Sequence, residues 1–296
     1  MENKIRLITS KTKLKLDKLK ILQISIKSLI FIISWSIKFK IKLTLSFKLK
    51  LSTFIAIIFQ QYYSDQAMKV FFSGISIQRY WDNLYDNHST KVDFLHGLKT
   101  DVFDENYLST KPLVVAYFDL INILENKFTD ISKLLIIEFK EEFHKIIDAY
   151  EYESSLSTRN IDSFNNTDLE NYKFYSTNSV ALKYTFLLLG ISLIKSEEDY
   201  KEFITTFEIA DQAAWAIRLA NDISGHEREL AEEKKDYITI MTSVNKISET
   251  EAINIMLDEI DVSIKKISAL NDTRFNVILS RIVFLAINRY LNNNFE

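Results

Sequence analysis

Only four glycines and a single proline interrupt 296 residues, and that scarcity is what most restricts the fold. A sheet protein of this length needs many tight turns, and tight turns draw on Gly and Pro; their near absence predicts long helices joined by short connections. The length is enough to bury a sizeable core in one all-helical domain. Cysteine is absent, which removes disulfides, thiolate metal sites and thiol nucleophiles together. The four histidines, His88, His96, His144 and His226, are too scattered for a zinc constellation, and no Gly-rich loop is present to cradle a phosphate.

The formal charge of −3 conceals an uneven distribution. Residues 1–52 are low in complexity and carry +11, leaving −14 on the rest. An acidic body is a poor nucleic-acid partner, so none is expected. Within the basic arm the longest uncharged apolar run, Ser28 to Ile37, falls far short of the ~20 residues of a spanning helix. A cleavable leader is a poor match as well, and the expected location is cytoplasmic. From Ile37 to Leu51 apolar and polar residues alternate, which is the period of a strand. Three readings of the arm stay open: an atypical start of the fold, a segment making weak contact with a membrane surface, or a poorly folded extension.

From Ser52 to Asn87 the spacing is helical. His88 to Asn106 reads as a loop or short helix, and Pro112 opens a helix through Lys127. Thr129 or Asp130 caps the next, and Asn160 to Thr167 is the clearest break. Asp168 is expected to cap one long helix through Ile194. A helix over 197–232 follows, then Lys234-Lys235-Asp236 as a loop suited to closing over a ligand. Two amphipathic helices, Ser248 to Ala269 and Asp272 to Asn292, complete the chain.

Two polar clusters stand out against this background. In Asn221-Asp222-Ile223-Ser224-Gly225-His226-Glu227-Arg228-Glu229, positions 221, 225 and 229 are successive i, i+4 neighbours, so an amide and a carboxylate share one helix face with a gap at Gly225. Oxygen donors of this kind suit a hard cation such as Mg2+. Upstream, Trp81-Asp82-Asn83-Leu84-Tyr85-Asp86 places Asp82 and Asp86 at i, i+4 near a helix end.

These residues resemble the DDxxD and NDxxSxxxE motifs of the class I terpene synthases of microbial type. The first motif reads Asp82-Asn83-Leu84-Tyr85-Asp86 and the second Asn221-Asp222-x-x-Gly225-x-x-x-Glu229, 139 residues apart, with Arg289-Tyr290 matching the family's C-terminal Arg-Tyr pair. The resemblance covers about residues 55–293. It implies an all-α, single-domain helical bundle around a central active-site cavity, occupying 53–296 behind the basic segment 1–52. It also implies a carbon–oxygen lyase acting on a prenyl diphosphate held by three Mg2+ ions, with the two motifs facing each other across the pocket.

By the same resemblance Asp82, Asp86, Asn221 and Glu229 are metal ligands, and Arg289 and Tyr290 join Asp82, Asn221 and Glu229 as the catalytic set. Arg228 and Arg218 are candidates to contact diphosphate oxygens, Arg being suited to fork-like recognition, and for Arg218 a helix-face ion pair is the equal alternative. Asn83 stands for the motif's second Asp, and Gly225 for a Ser or Thr ligand, whose space a water would fill. The family's sensor Arg should fall near Tyr175-Ser176, where no basic residue stands; Lys173 is the expected substitute. Trp81, Tyr172, Tyr175 and Trp215 are the aromatic candidates for lining the substrate pocket, since π faces stabilise a carbocation. Ala210 and Ala214, on the motif stripe, leave room for a bulky substrate and favour geranylgeranyl over farnesyl diphosphate. A prenyltransferase on the same fold, and a non-catalytic helical or membrane-binding protein, are the alternatives. Homodimerisation stays open.

Overall fold

The structure, a computed structural model, describes residues 2–12, 17–39, 43–59, 62, 64–86 and 112–292, with the backbone alone at 79–86 and 112–114. The described residues are all-α and contain no strand. In chain order the helices are α1 (Glu2–Lys11), α2 (Lys18–Lys38), α3 (Leu45–Phe59), α4 (Asp65–Asp86), α5 (Pro112–Lys127), α6 (Asp130–Leu156), α7 (Asn166–Ser179), α8 (Leu182–Leu193), α9 (Glu197–Phe207), α10 (Ala210–Ala231), α11 (Tyr237–Asn245), α12 (Glu249–Ser268) and α13 (Arg274–Leu291). Two compact units arise. Unit I comprises Met1–Leu14, Lys145–Lys183 and Ile204–Glu296; unit II comprises Lys15–His144 and Tyr184–Phe203. The boundary expected after residue 52 falls inside α3.

Unit II is held by an aromatic core. The Trp35 and Phe31 rings of α2 each meet Phe72 of α4 edge-on at 5.5 Å, and Phe59 of α3 meets Phe71 at 5.4 Å. Tyr184 stacks on Phe139 at 4.7 Å, and its hydroxyl donates to the Gly74 carbonyl at 3.3 Å. Gly74 fits closely there, because a Cβ would stand 2.1 Å from Leu188 Cδ1 and that buried side chain would have to shift.

Unit I is built around α10. Ala210, Ala213, Ala214, Ala216 and Ala220 are all buried along it, and α7, α11, α12 and α13 pack against it. Buried alanines present little side-chain bulk at a helix surface, which favours close approach of its neighbours. The start of α7 is tied down twice. Asn165 and Asp168 form a capping box, and Asp168 takes a bidentate ion pair from Arg159. Helix α1 lies on α12 through Lys4–Asp258 at 2.7 Å and Lys11–Asp261.

Several expectations are corrected. The alternation from Ile37 to Leu51 is not a strand: α2 runs to Lys38 and α3 starts at Leu45, burying Leu51, Ser52, Ile55, Ala56, Ile58 and Phe59 on a helical face. A strand would need a partner edge for its backbone groups, and none exists among the described residues, whereas a helix satisfies them internally. Lys27, before the uncharged run, does not interrupt the helix, and α2 becomes long and apolar enough to cross a membrane by length and composition. The helix expected from Asp168 to Ile194 is broken at Ala181, whose φ of 57° turns the chain out of α7 before α8 begins. Asn165, not Asp168, is its N-cap. The helix expected over 197–232 is likewise two, α9 and α10, separated at Glu208-Ile209. The segment His88 to Asn106 lies outside the described residues.

Candidate functional site

The α10 stripe contains Arg218, Asp222, Gly225 and Glu229, spaced three and four residues apart and therefore aligned on one face. Its centre is Arg218, whose side chain is 12% exposed. The guanidinium donates to Glu153 Oε1 of α6 at 2.9 Å and to the Tyr172 hydroxyl of α7, and its Nε lies 2.7 Å from Asp222 Oδ1. That last contact is an ion pair without hydrogen-bond alignment. Ser179 Oγ donates to the same Glu153 oxygen at 2.7 Å. Arg218 thus ties α10 to α6 and α7.

Asp222 has no solvent exposure. Its Oδ2 accepts from the Tyr172 hydroxyl at 2.9 Å and from the Tyr237 backbone N–H at 3.3 Å. Burial pushes its carboxyl up to about 8, against the pull of Arg218, with the charges of Glu229 and Asp236 adding to the push. Burial also raises Glu229, again opposed by Arg218 and reinforced by Asp236. Glu153, Asp222 and Glu229 therefore face one buried guanidinium, while Arg228 adds positive charge beside Glu229 and His226 pairs with Asp236.

Glu229 folds back over Gly225. A Cβ at 225 would stand 2.9 Å from Glu229 Oε1 and 3.0 Å from Arg228 Nη2. The missing hydroxyl does not leave the water-sized gap expected from the sequence; the Glu229 carboxylate and the Arg228 guanidinium close over it. Arg228 is largely exposed, with Nη2 3.4 Å from Glu229 Oε1. Asn221 is half-buried one turn before Gly225.

A second clamp follows the stripe. His226 Nδ1 meets Asp236 Oδ2 at 2.5 Å, and the other oxygen of Asp236 caps α11 by accepting from Thr239 N at 2.8 Å and Thr239 Oγ1 at 2.7 Å. The hydrogen bond to Asp236 holds the imidazole above its ordinary range despite partial burial. Asp236 is buried and fixed, so the loop expected at 234–236 ends in a cap. The motif helix is locked at Arg218, whose partners include residues far away in sequence, and at His226, to which the sequence reading gave no role. Only Asp236 carried a signal: an acid immediately before an apolar helix with Thr three residues on.

Of the remaining candidates, Tyr172 joins the Arg218–Asp222 cluster. Tyr172 is fully buried, its ring stacked at 5.6 Å on Tyr237, and burial holds its hydroxyl well above the usual range. Tyr175 stacks on Tyr152 at 4.4 Å. Lys173 Nζ sits 5.2 Å over the Trp215 ring, whose Nε1 donates to Glu259 at 2.7 Å. Lys173 and Trp215 line a groove of about 900 Å³ with Phe174, Ile255 and Val262, and Asn221, Gly225 and Glu229 are not among its walls. Arg289 and Tyr290 are half-buried on the last turn of α13. Trp81, Asp82 and Asp86 end α4, and their side chains lie outside the described residues.

Among the described residues no three acidic or histidine side chains gather to hold a metal. The donor chemistry nonetheless fits a hard divalent cation: an amide at 221 and a desolvated carboxylate at 229 offer oxygen donors from one helix.

The fold is shared with solved microbial enzymes. Linalool/nerolidol synthase from Streptomyces clavuligerus superposes with a TM-score of 0.65 at 10% identity, over 91% of this chain and 94% of that one. 2-Methylisoborneol synthase from Streptomyces coelicolor A3(2) gives 0.68 at 10% identity, over 95% and 92%. The latter is also known in complex with Mg2+ and geranyl-S-thiolodiphosphate, with a TM-score of 0.66 at 9% identity over 94% and 92%. No curated protein sequence matches this one. The profile of terpene synthase family 2, C-terminal metal binding, matches residues 75–266, taking in both polar clusters, and the chain belongs to that family.

Proposed function

We propose that the protein is a Mg2+-dependent terpene synthase, a carbon–oxygen lyase that ionises a prenyl diphosphate, cyclises the cation and releases diphosphate. The observation that carries this reading is Glu229, a buried carboxylate closing the α10 stripe inside the span matched by a metal-binding family profile. The similar folds include enzymes solved with Mg2+ and with geranyl diphosphate analogues, which supports the substrate class.

In this reading Asn221 and Glu229 hold Mg2+, and Asp82 and Asp86 take ligand roles by family resemblance. When bound, the metal supplies Lewis acidity to the departing diphosphate. Arg228, exposed beside Glu229, meets diphosphate oxygens, and Arg289 with the Tyr290 hydroxyl donates to the same group. Arg218 keeps Tyr172 and Asp222 fixed, so the stripe is organised before substrate arrives. Three ions and a geranylgeranyl or farnesyl chain are the specific form of the proposal.

The test is to incubate the purified protein with Mg2+ and geranyl, farnesyl or geranylgeranyl diphosphate, then to measure released diphosphate and extractable terpenes. Cyclic hydrocarbons or alcohols from one substrate are expected. Elongated diphosphates would make it a prenyltransferase instead, and no turnover with any of the three would leave a non-catalytic helical protein.

A further inference from the structure

Helix α2 buries one face in unit II, at Ile24, Ser28, Ile32 and Trp35. Its opposite face is also apolar. Leu19, Leu22, Ile26, Ile30, Ile33 and Ile37 are exposed at 68%, 57%, 52%, 62%, 38% and 73%, spaced three and four residues apart. At 1.5 Å per residue they form a stripe about 27 Å long. Its area, roughly 600 Å², is at the upper end of the largest apolar patches on soluble monomers.

The polar residues of α2 are arranged about this stripe. At 100° per residue Lys20, Lys27 and Lys38 fall together along one edge, 60–80° round the helix from the Ile30 position. Lys38 shares its charge with Asp119, 3.0 Å away, and Lys27 also has a partner, while both lysines stay exposed at the helix edge. No acid occurs within the helix; Asp17 stands only at its N-cap. The next helix, α3, packs against α2 and begins the same way, with exposed Leu45 and Leu49 interleaved with Lys48 and Lys50.

We infer that the α2 face is a docking surface for an anionic lipid bilayer, lying in the plane of the interface with the leucine–isoleucine stripe in the acyl boundary and the lysine rail among negative headgroups. An apolar stripe edged by cations on a helix is the arrangement that binds such interfaces. Length and composition alone would also allow α2 to span. The buried face excludes that for the folded unit: Trp35 and Phe31 are packed on Phe72, and spanning would strip them from the core. A second copy is a poorer occupant, because α2 has no acids to answer the lysine rail of its twin. The inference does not rest on the catalytic reading.

The full chain should co-sediment with vesicles of phosphatidylcholine containing phosphatidylserine, and much less with phosphatidylcholine alone. Each lysine near an anionic surface is worth about fivefold in affinity, so K20Q/K27Q should weaken binding about 25-fold and flatten its salt dependence. I26S/I30S should weaken binding at low and high salt alike. All four positions are exposed, and unchanged circular dichroism and melting will show that folding is retained. Equal binding of K20Q/K27Q and the parent chain would overturn the proposal, as would no sedimentation with either vesicle. So would self-association that I30S abolishes in the absence of vesicle binding, which would assign the stripe to a dimer.

Discussion

Replacing Arg218 with Met keeps most of the side-chain stem and removes the charge that Asp222, Glu153 and Tyr172 share. Breaking a buried pair from one side costs about 3–5 kcal/mol. The upper figure requires every partner to remain charged and dry. Glu153 is a quarter exposed and can rehydrate, and Asp222, already raised to about 8, escapes by keeping its proton at neutral pH. The loss should therefore lie near the lower end, about 3 kcal/mol, or a fall of about 5 °C in Tm for a chain of this length. Thermal unfolding followed by circular dichroism at pH 7 measures it. The R218M/D222N double variant should recover about 2 kcal/mol, because the amide still accepts from Tyr172 and the Tyr237 N–H without a charge. The sign with pH is also fixed. A carboxyl whose folded pKa lies above its unfolded value of about 3.9 favours folding most at low pH, and that contribution is lost as pH rises towards 8. The R218M deficit should accordingly be smaller at pH 5 than at pH 8. A loss below about 1 kcal/mol that stays constant across that range would refute the view that this guanidinium compensates a buried carboxylate.

Glu229→Ala and Asp82→Ala should each cut turnover at least about a hundredfold with helical content intact, and full activity in either variant would remove that residue from the ligand set. Gly225→Ala places a methyl group 2.9 Å from Glu229 Oε1 and 3.0 Å from Arg228 Nη2, both ends of flexible side chains. Stability should change by less than about 1 kcal/mol, while the Mg2+ concentration for half-maximal turnover rises about tenfold; an unchanged metal requirement would show that Glu229 need not lean over position 225. Asp168 is held below the usual carboxylate range chiefly by its hydrogen bond from Arg159. Its contribution to stability is present above about pH 4 and is lost as pH falls through the depressed value, so R159A should shift acid unfolding to higher pH without moving the alkaline side.

The sequence alone determined the class and the motif helix. Scarcity of Gly and Pro forced helices, and the i, i+4 spacing of Asn221, Gly225 and Glu229 put two oxygen donors on one face; both follow from local geometry. Breaks without a local signature were not legible. Ala181 leaves α7 by a positive φ that no Gly or Asn announces, and Ile209 precedes α10 without a side-chain cap. The alternation at 37–51 misled because a period of two says nothing about whether a partner edge exists.

The pairing of charges, by contrast, depends on contacts made across the fold. Arg218 reads from the sequence as equally suited to a phosphate or a helix-face ion pair; the pair with Asp222 forms, and Glu153 and Tyr172, 65 and 46 residues away, complete its partners. Gly225 reads as a missing hydroxyl, and it is the floor beneath the Glu229 carboxylate. Asp222 reads as an ordinary acid, and burial moves it by several pH units. Periodicity is encoded within a few residues along the chain. Desolvation and pairing depend on what segments distant in sequence bring against each side chain, and only the folded chain sets them.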